Sequence, residues 1–198
     1  MKYGDMTLGK IEALINIIGG KKVVDSLLNG TSKFTVEATG HLGSLKKYMV
    51  SGYKCCPLNF FINGEGLTVS DDFQEFILAT AKEGAVRTKN ANVHYADLIE
   101  NARDVVIRGE LPEEHVFDDV DNFLGLLSRM VYDQWGGKEG VLVKKDFYAN
   151  MFYVKGIQGD VYNVLVSWIS DTKKWECEVI FNVDYTWLPR FRIFSAKP

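Results

Sequence analysis

The sequence contains few of the residues that build metal centres and disulfide frameworks, with three cysteines and three histidines among 198 residues. Cys55 and Cys56 are adjacent, so they lack the two-residue gap that lets both thiolates reach one zinc ion. An odd number of scattered thiols is typical of a reducing compartment. The histidines lie far apart, at His41, His94 and His115. We therefore expect no metal, no cofactor and no structural disulfide.

Long apolar segments are also missing. The apolar stretch from Ile11 to Ile18 is broken by Glu12 and Asn16, so it does not have the form of a secretory signal peptide. Nowhere does the chain contain the roughly 18 consecutive apolar residues that a membrane-spanning helix needs. Together with the pattern of thiols, this predicts a cytoplasmic protein that does not contact a membrane.

Sequence motifs of nucleotide binding and hydrolysis are absent as well. There is no G-x-S-x-G, no P-loop and no G-x-G-x-x-G. Gly64-Glu65-Gly66 has two of the required glycines but no following lysine, and it predicts a turn. The densest polar group, at 110–115, is more typical of a solvated loop than of an acid–base pair. We predict no catalytic residue, and an enzyme with a site assembled across a hinge at about residues 85–92 is a weaker alternative.

The composition is that of an ordinary globular protein, 46% hydrophobic and 25% charged, but its charge is segregated. Residues 1–70 carry eight Lys and Arg against five Asp and Glu, residues 71–140 seven against fifteen, and residues 141–198 eight against six. A solvated helical surface is the simplest interpretation of the acidic middle. The alternative is an acidic face for a basic partner.

The stretch 145–184 predicts three β-strands joined by short polar turns, an antiparallel meander. Its last strand alternates most clearly, with Glu176 and Glu178 on the polar face. The residues expected on its buried face are Trp175, Cys177, Val179, Phe181 and Val183. Such a half-apolar sheet must pack on helices, and the stripes at 94–108 and 118–135 predict two that cover it.

The N-terminal part is less regular. Residues 7–29 predict two helices around a Gly-Gly pair, and 42–50 and 71–84 predict further helices. The apolar run 58–62 has the length of a strand.

The polar stretch 85–92 has no periodicity and predicts a hinge. It divides the chain into a mostly helical region, 1–84, and a C-terminal α+β domain, 93–198. The predicted fold class is α+β: an N-terminal helical region, then two helices packed on an antiparallel meander of three to four strands.

Two functions follow as hypotheses. The leading one is a non-enzymatic protein-interaction or regulatory module, whose partner is another protein. The alternative is a nucleic-acid-associated regulator that uses the N-terminal helix pair. Its candidate phosphate contacts are Lys21, Lys22, Lys46 and Lys47. So few lysines predict weak nucleic-acid binding or none, and the sequence leaves the oligomeric state open.

Several short motifs carry a resemblance. They include Gly109-Glu110-Leu111-Pro112, the glycine-rich segment 136–140, Tyr148-Ala149-Asn150-Met151-Phe152-Tyr153-Val154, and the N-terminal Met6-Thr7-Leu8-Gly9-Lys10. In these the chain resembles a group of short bacterial proteins of unassigned function, over about two thirds of its length. The resemblance implies a bacterial, cytoplasmic origin and supplies no catalytic residue.

Overall fold

The computed structural model describes residues 40–54, 58–62, 64, 66–82, 88–156, 159–181 and 185–197. The chain divides into two units, Met1–Thr39 and Gly40–Pro198, and all of the described residues belong to the second. This unit is α+β, as predicted. The helix pair predicted at 7–29 lies outside the described residues.

The second unit is built on a seven-stranded sheet in the order β1-β3-β9-β5-β6-β7-β2, with a separate two-stranded ribbon of β4 and β8. The strands are β1 Lys46–Lys54, β2 Leu67–Val69, β3 Thr88–Asp97, β4 Ala102–Arg103, β5 Ala149–Lys155, β6 Val161–Ile169, β7 Lys174–Ile180, β8 Thr186–Trp187 and β9 Phe191–Ser195. The helices are α1 Leu58–Ile62, α2 Asp71–Phe76, α3 Asp104–Glu110 and α4 Val120–Asp133, and a 3₁₀ turn spans Leu78–Thr80. Pairing is antiparallel except between β5 and β9 and between β2 and β7.

The predicted meander is present as β5, β6 and β7, each antiparallel to the next. Within β7, Trp175, Cys177 and Val179 are buried as expected. Phe181 was predicted in the same row, and this is wrong: β7 ends at Ile180, and Phe181 is 50% exposed. The alternation continues in sequence, but the chain leaves the sheet. Val183 lies outside the described residues.

The helix predicted at 118–135 is confirmed as α4. The side chain of its N-cap, Asp119, accepts a hydrogen bond from the backbone N–H of Asn122. Beyond its end, Gly136 and Gly137 have φ of 66° and 75°, which glycine adopts without strain. At Gly137 a Cβ would also lie 2.7 Å from a ring carbon of Trp168.

The helix predicted at 94–108 is wrong over its first half. The chain up to Asp97 belongs to β3, and α3 begins only at Asp104. β3 lies between β1 and β9, and Val93 and Ala96, on opposite faces of the strand, are both buried. Burial on both faces removes the alternation that marks a half-buried strand, so the apolar spacing resembles a helical stripe.

Two further segments have the type of secondary structure opposite to the one predicted. The helix predicted at 42–50 is replaced by β1, and the strand predicted at 58–62 is the short helix α1, in which only Phe61 is buried. A short apolar run cannot be assigned from periodicity alone. The helix predicted at 71–84 begins at Asp71 but ends at Phe76.

The described end of the predicted hinge, residues 88–92, is part of β3 and pairs with β1. Its lack of periodicity has a physical cause, because Lys89, Asn90 and Asn92 are all exposed at the end of β3 that pairs with β1 alone. The division of the chain into two units falls at 39–40, not within this segment.

The two faces of the sheet are covered differently. Helices α1, α2 and α4 pack on the first face, over Val164, Val166 and Cys177. Helix α3 and the β4–β8 ribbon pack on the second face, over Met151, Tyr153 and Ile193. Helix α3 and the ribbon cover β5 and β9, and they leave most of β6 and β7 uncovered on the second face.

Candidate functional site

We call the second face of β6 and β7 the open face. On β6, the first-face side chains Tyr162, Val164, Val166 and Trp168 are all buried. The second-face residues of the two strands are instead half-buried, with Asn163 as the one buried exception: Val161, Leu165, Ser167, Ile169, Lys174, Glu176, Glu178 and Ile180. One cavity lies on this surface toward the end of β6, and a second lies at the start of β6, where side chains from both faces of the sheet line it.

The first, which we call the acidic cavity, has a volume of about 480 Å³ and is walled by the open face and by the segment that leads into β5. Its carboxylates are Asp146, Asp171, Glu176 and Glu178, and its large apolar and aromatic side chains include Phe147, Tyr148, Leu165 and Phe191. Among the described residues, no lysine or arginine lines it. The cavity therefore combines negative charge with apolar surface.

Glu176 and Glu178 lie two residues apart on β7, so both project from the open face. Partial burial, the charge of Glu176 and a hydrogen bond with Glu176 raise the pKa of Glu178 above its usual value. The strand thus holds two carboxylates together although they repel each other. A cationic group placed between them would relieve that repulsion.

At the rim of the acidic cavity, Phe147 has a φ of 65°, a conformation that bulky residues rarely adopt. Its ring is 87% exposed. The turn is fixed on either side, because Ser170 Oγ donates to Asp146 Oδ1 over 2.6 Å and Tyr148 N donates to Lys145 O over 3.0 Å. A strained backbone that holds an aromatic ring in water is a feature of binding sites more than of folding.

The second cavity, which we call the arginine cavity, has a volume of about 510 Å³. Arg108 of α3 lines it, with Asn163 and the aromatic side chains Phe76, Tyr162 and Phe181. Behind Arg108 lies Asp104, which is 1% exposed. Arg108 Nε is 2.8 Å from Asp104 Oδ2, so a buried ion pair forms one side of this cavity.

Asp104 has several further partners. Its Oδ1 accepts hydrogen bonds from Tyr153 Oη at 3.0 Å, Asn163 Nδ2 at 2.8 Å and Trp187 Nε1 at 3.3 Å. Burial first, and then the charge and hydrogen bond of Asp104, raise the pKa of Tyr153 well above its usual value. The phenol therefore stays a donor to the carboxylate. This network joins α3, β5, β6 and β8 and fixes the position of Arg108.

Of the lysines proposed as phosphate contacts, Lys21 and Lys22 lie outside the described residues. Lys46 and Lys47 begin β1, and as neighbours in a strand they point to opposite faces. Lys46 Nζ is 3.5 Å from Asp97 Oδ2 and lies over the ring of Tyr95. Burial, and then the positive charge of Lys47, lower the pKa of His94 below its usual value. The structure thus does not bring Lys46 and Lys47 together in one basic patch.

The remaining chemical candidates are separate from both cavities. His41 is paired with Glu110 through Nδ1, at 2.7 Å from Oε1. Cys177 is fully buried, which raises the pKa of its thiol, and Cys55 and Cys56 are outside the described residues. Within the described ranges, no three His, Cys, Asp or Glu side chains form a group that could hold a metal ion. No helix among them is long and apolar enough to cross a membrane.

Sequence reasoning missed both cavities. Asp104 and Arg108 have the i,i+4 spacing of an ion pair, a signal that was available, but nothing local indicates that the pair is buried. Glu176 and Glu178 were assigned to the polar face of β7 without a role. Searches of protein-family models, of curated proteins and of solved structures found no match to this chain.

Proposed function

We propose that this chain is a non-enzymatic interaction module, and that its acidic cavity binds a partner protein through a segment with a basic side chain beside apolar ones. One observation carries the proposal. Four carboxylates and several apolar side chains line one cavity on an uncovered sheet face, and no lysine or arginine is among the described residues that line it. A lysine or arginine of a partner supplies the missing charge.

The apolar part of the cavity supports the same conclusion. Leu165, Ile169 and Phe191 are only half-buried, and the Phe147 ring stands beside them in water. An exposed apolar surface with a polar rim is typical of a contact with another protein. Aromatic rings such as Phe147 are enriched among residues that contribute most to binding.

The charge of the cavity disfavours nucleic acid as its occupant, because carboxylates repel phosphate groups. The nucleic-acid alternative would depend on Lys46 and on residues outside the described ranges. Lys46 is already close to Asp97, which supports weak phosphate contact or none. The bacterial origin and cytoplasmic location implied by the resemblance belong to this proposal as well.

The test uses peptides of defined charge, measured by isothermal titration calorimetry at low and high salt. The probe is acetyl-Leu-Arg-Phe-Lys-Leu-amide, and its matched control replaces both basic residues with glutamate. We expect binding of the basic peptide only, weakened by salt. The variant Glu176→Gln with Glu178→Gln should reduce its affinity about tenfold or more.

The matched control variant, Glu113→Gln with Glu139→Gln, removes two exposed carboxylates that do not line the cavity. It should leave the affinity unchanged. Equal binding of the basic and acidic peptides would contradict the proposal. An equal loss in the two double variants would do so as well, since it would show a general charge effect.

A further inference from the structure

Arg108 is held in a fixed orientation from three sides. Its Nε faces Asp104 Oδ2 at 2.8 Å, one Nη nitrogen donates to Asn163 Oδ1 at 3.1 Å, and the guanidinium lies 4.6 Å from the centre of the Tyr153 ring. A long side chain loses considerable freedom when it binds a ligand. Here the fold has already removed that freedom, so a ligand of Arg108 would meet a preorganised group.

The guanidinium nevertheless stays accessible. The Arg108 side chain is 29% exposed, whereas that of Asp104 behind it is 2% exposed. Since Arg108 lines the arginine cavity, the structure offers a fixed donor to whatever enters that cavity.

The opposite wall of the arginine cavity is aromatic. The Phe76 and Phe181 rings meet edge to face at 4.9 Å, and each also packs on Tyr162, at 5.3 and 5.8 Å. Phe181 is half exposed, although it follows the buried residues Trp175, Cys177 and Val179 of β7 in the same alternation. Ile180 and Val161 complete the apolar lining. An apolar or aromatic group would bury this surface.

The charges in the arginine cavity select among anions. Arg108 is its one cationic side chain in the described ranges, and Asp160 also lines it. Asp104 already balances the charge of Arg108 in part. A phosphate dianion would therefore lack compensation, whereas a carboxylate carries one charge and matches the planar fork of an arginine. The volume of about 510 Å³ lies in the usual range of small-molecule sites.

We infer that the arginine cavity is a binding site for a monoanionic carboxylate attached to an aromatic or apolar group. Arg108 contacts the carboxylate, and Phe76, Tyr162 and Phe181 contact the apolar part. The ligand is either a free small acid or the C-terminal carboxylate of a peptide that ends in an aromatic residue. This site is distinct from the acidic cavity, so its test does not depend on the proposed function.

The test measures binding of phenylacetate by ligand-observed and ¹⁵N-detected NMR at neutral pH. Phenylacetamide is the neutral control of the same shape, and phenethylamine is the cationic one. We expect phenylacetate to bind about tenfold tighter than phenylacetamide and to shift the resonances of Arg108 and Asn163. Acetyl-Gly-Phe with a free or an amidated C-terminus distinguishes the sources. A free-acid peptide that binds tighter than phenylacetate identifies a chain terminus, and the reverse order identifies a small acid.

The chain supplies a matched pair of arginine variants. Arg108→Lys keeps the charge but loses the planar fork, and should weaken phenylacetate binding about tenfold. Arg129 is also a helix arginine with an Asp at a spacing of four, and it lies over a tyrosine ring. Its variant Arg129→Lys should leave the affinity unchanged.

A second variant keeps the inference testable if Arg108→Lys fails to fold. Phe181→Ala removes a half-exposed ring of the arginine cavity and should weaken binding several-fold while the fold persists. Two results would overturn the inference. One is equal binding of phenylacetate and phenylacetamide. The other is an affinity for phenylacetate that does not depend on the lining of the cavity. In that case Phe181→Ala leaves the affinity unchanged, and a folded Arg108→Lys variant loses no more affinity than Arg129→Lys.

Discussion

Replacing Asp104 with alanine should lower the free energy of unfolding by about 3–5 kcal/mol, the usual cost when one member of a buried ion pair is removed. Asp104 is 1% exposed, and its loss leaves Arg108 without its counter-ion. Tyr153, Asn163 and Trp187 also lose their shared acceptor. Each buried donor left unsatisfied costs about 1–3 kcal/mol by itself, so three such donors together reach the lower limit of the range.

The same chain contains an exposed counterpart. Asp133 pairs with Arg129 at the same spacing of four, but both side chains are about one third exposed. Asp133→Ala should cost only about 0.3–0.5 kcal/mol, as exposed helix pairs do. Asp104→Asn should fall between these values. Its amide oxygen still accepts hydrogen bonds, while its neutral side chain no longer balances Arg108.

The assay is urea unfolding at neutral pH, followed by both circular dichroism and tryptophan fluorescence. Trp187 donates to Asp104, so fluorescence also shows whether the folded variant has lost that contact. The m-values should match that of the wild type, since the area exposed on unfolding is unchanged. A cost below about 1 kcal/mol for Asp104→Ala, or one equal to that of Asp133→Ala, would refute the argument that burial makes this pair important.

Three further predictions concern the core and the titrating groups. Phe152→Ala should cost about 3–5 kcal/mol in urea unfolding, because the ring is fully buried and stacks on Phe194 at 4.5 Å. Phe147→Ala, which removes an exposed ring, should change stability by less than about 0.5 kcal/mol, and equal effects would contradict this. Glu178→Gln should stabilise the protein at neutral pH. The pKa of Glu178 is raised in the folded state, so the folded state loses stability as the pH rises above about 4.3, the pKa of a glutamate in the unfolded chain. In pH-dependent thermal unfolding that gain should disappear below about pH 4, and a gain independent of pH would contradict the prediction. Cys177 should resist iodoacetamide in the folded protein and react in urea, because burial raises the pKa of its thiol. Mass spectrometry of the peptide that contains Cys177 follows the reaction. Equal rates in both conditions would show that the Cys177 side chain is not buried.

Local pattern was sufficient where one element has one buried face and nearby partners. The β5–β6–β7 meander and helix α4 follow from period-two and period-3.6 spacing, with turns of few residues between the strands. Local pattern failed for β3, whose partners β1 and β9 lie about 40 and 100 residues away along the chain. It failed for the same reason in β1, which was predicted as a helix. Pairing with a distant strand stabilises a segment against its local preference.

The two cavities show the same division more sharply. The sequence by itself determined that Glu176 and Glu178 share the polar face of a strand, and that Asp104 and Arg108 share one face of a helix if that helix forms. Only the tertiary structure decided that helix α3 and the β4–β8 ribbon cover part of the second face and leave β6 and β7 open. It also decided that Asp104 is buried beneath Tyr153, Asn163 and Trp187, from three different strands. Spacing along a chain sets which side chains point the same way, whereas burial depends on what packs above them, and here those elements come from distant parts of the sequence.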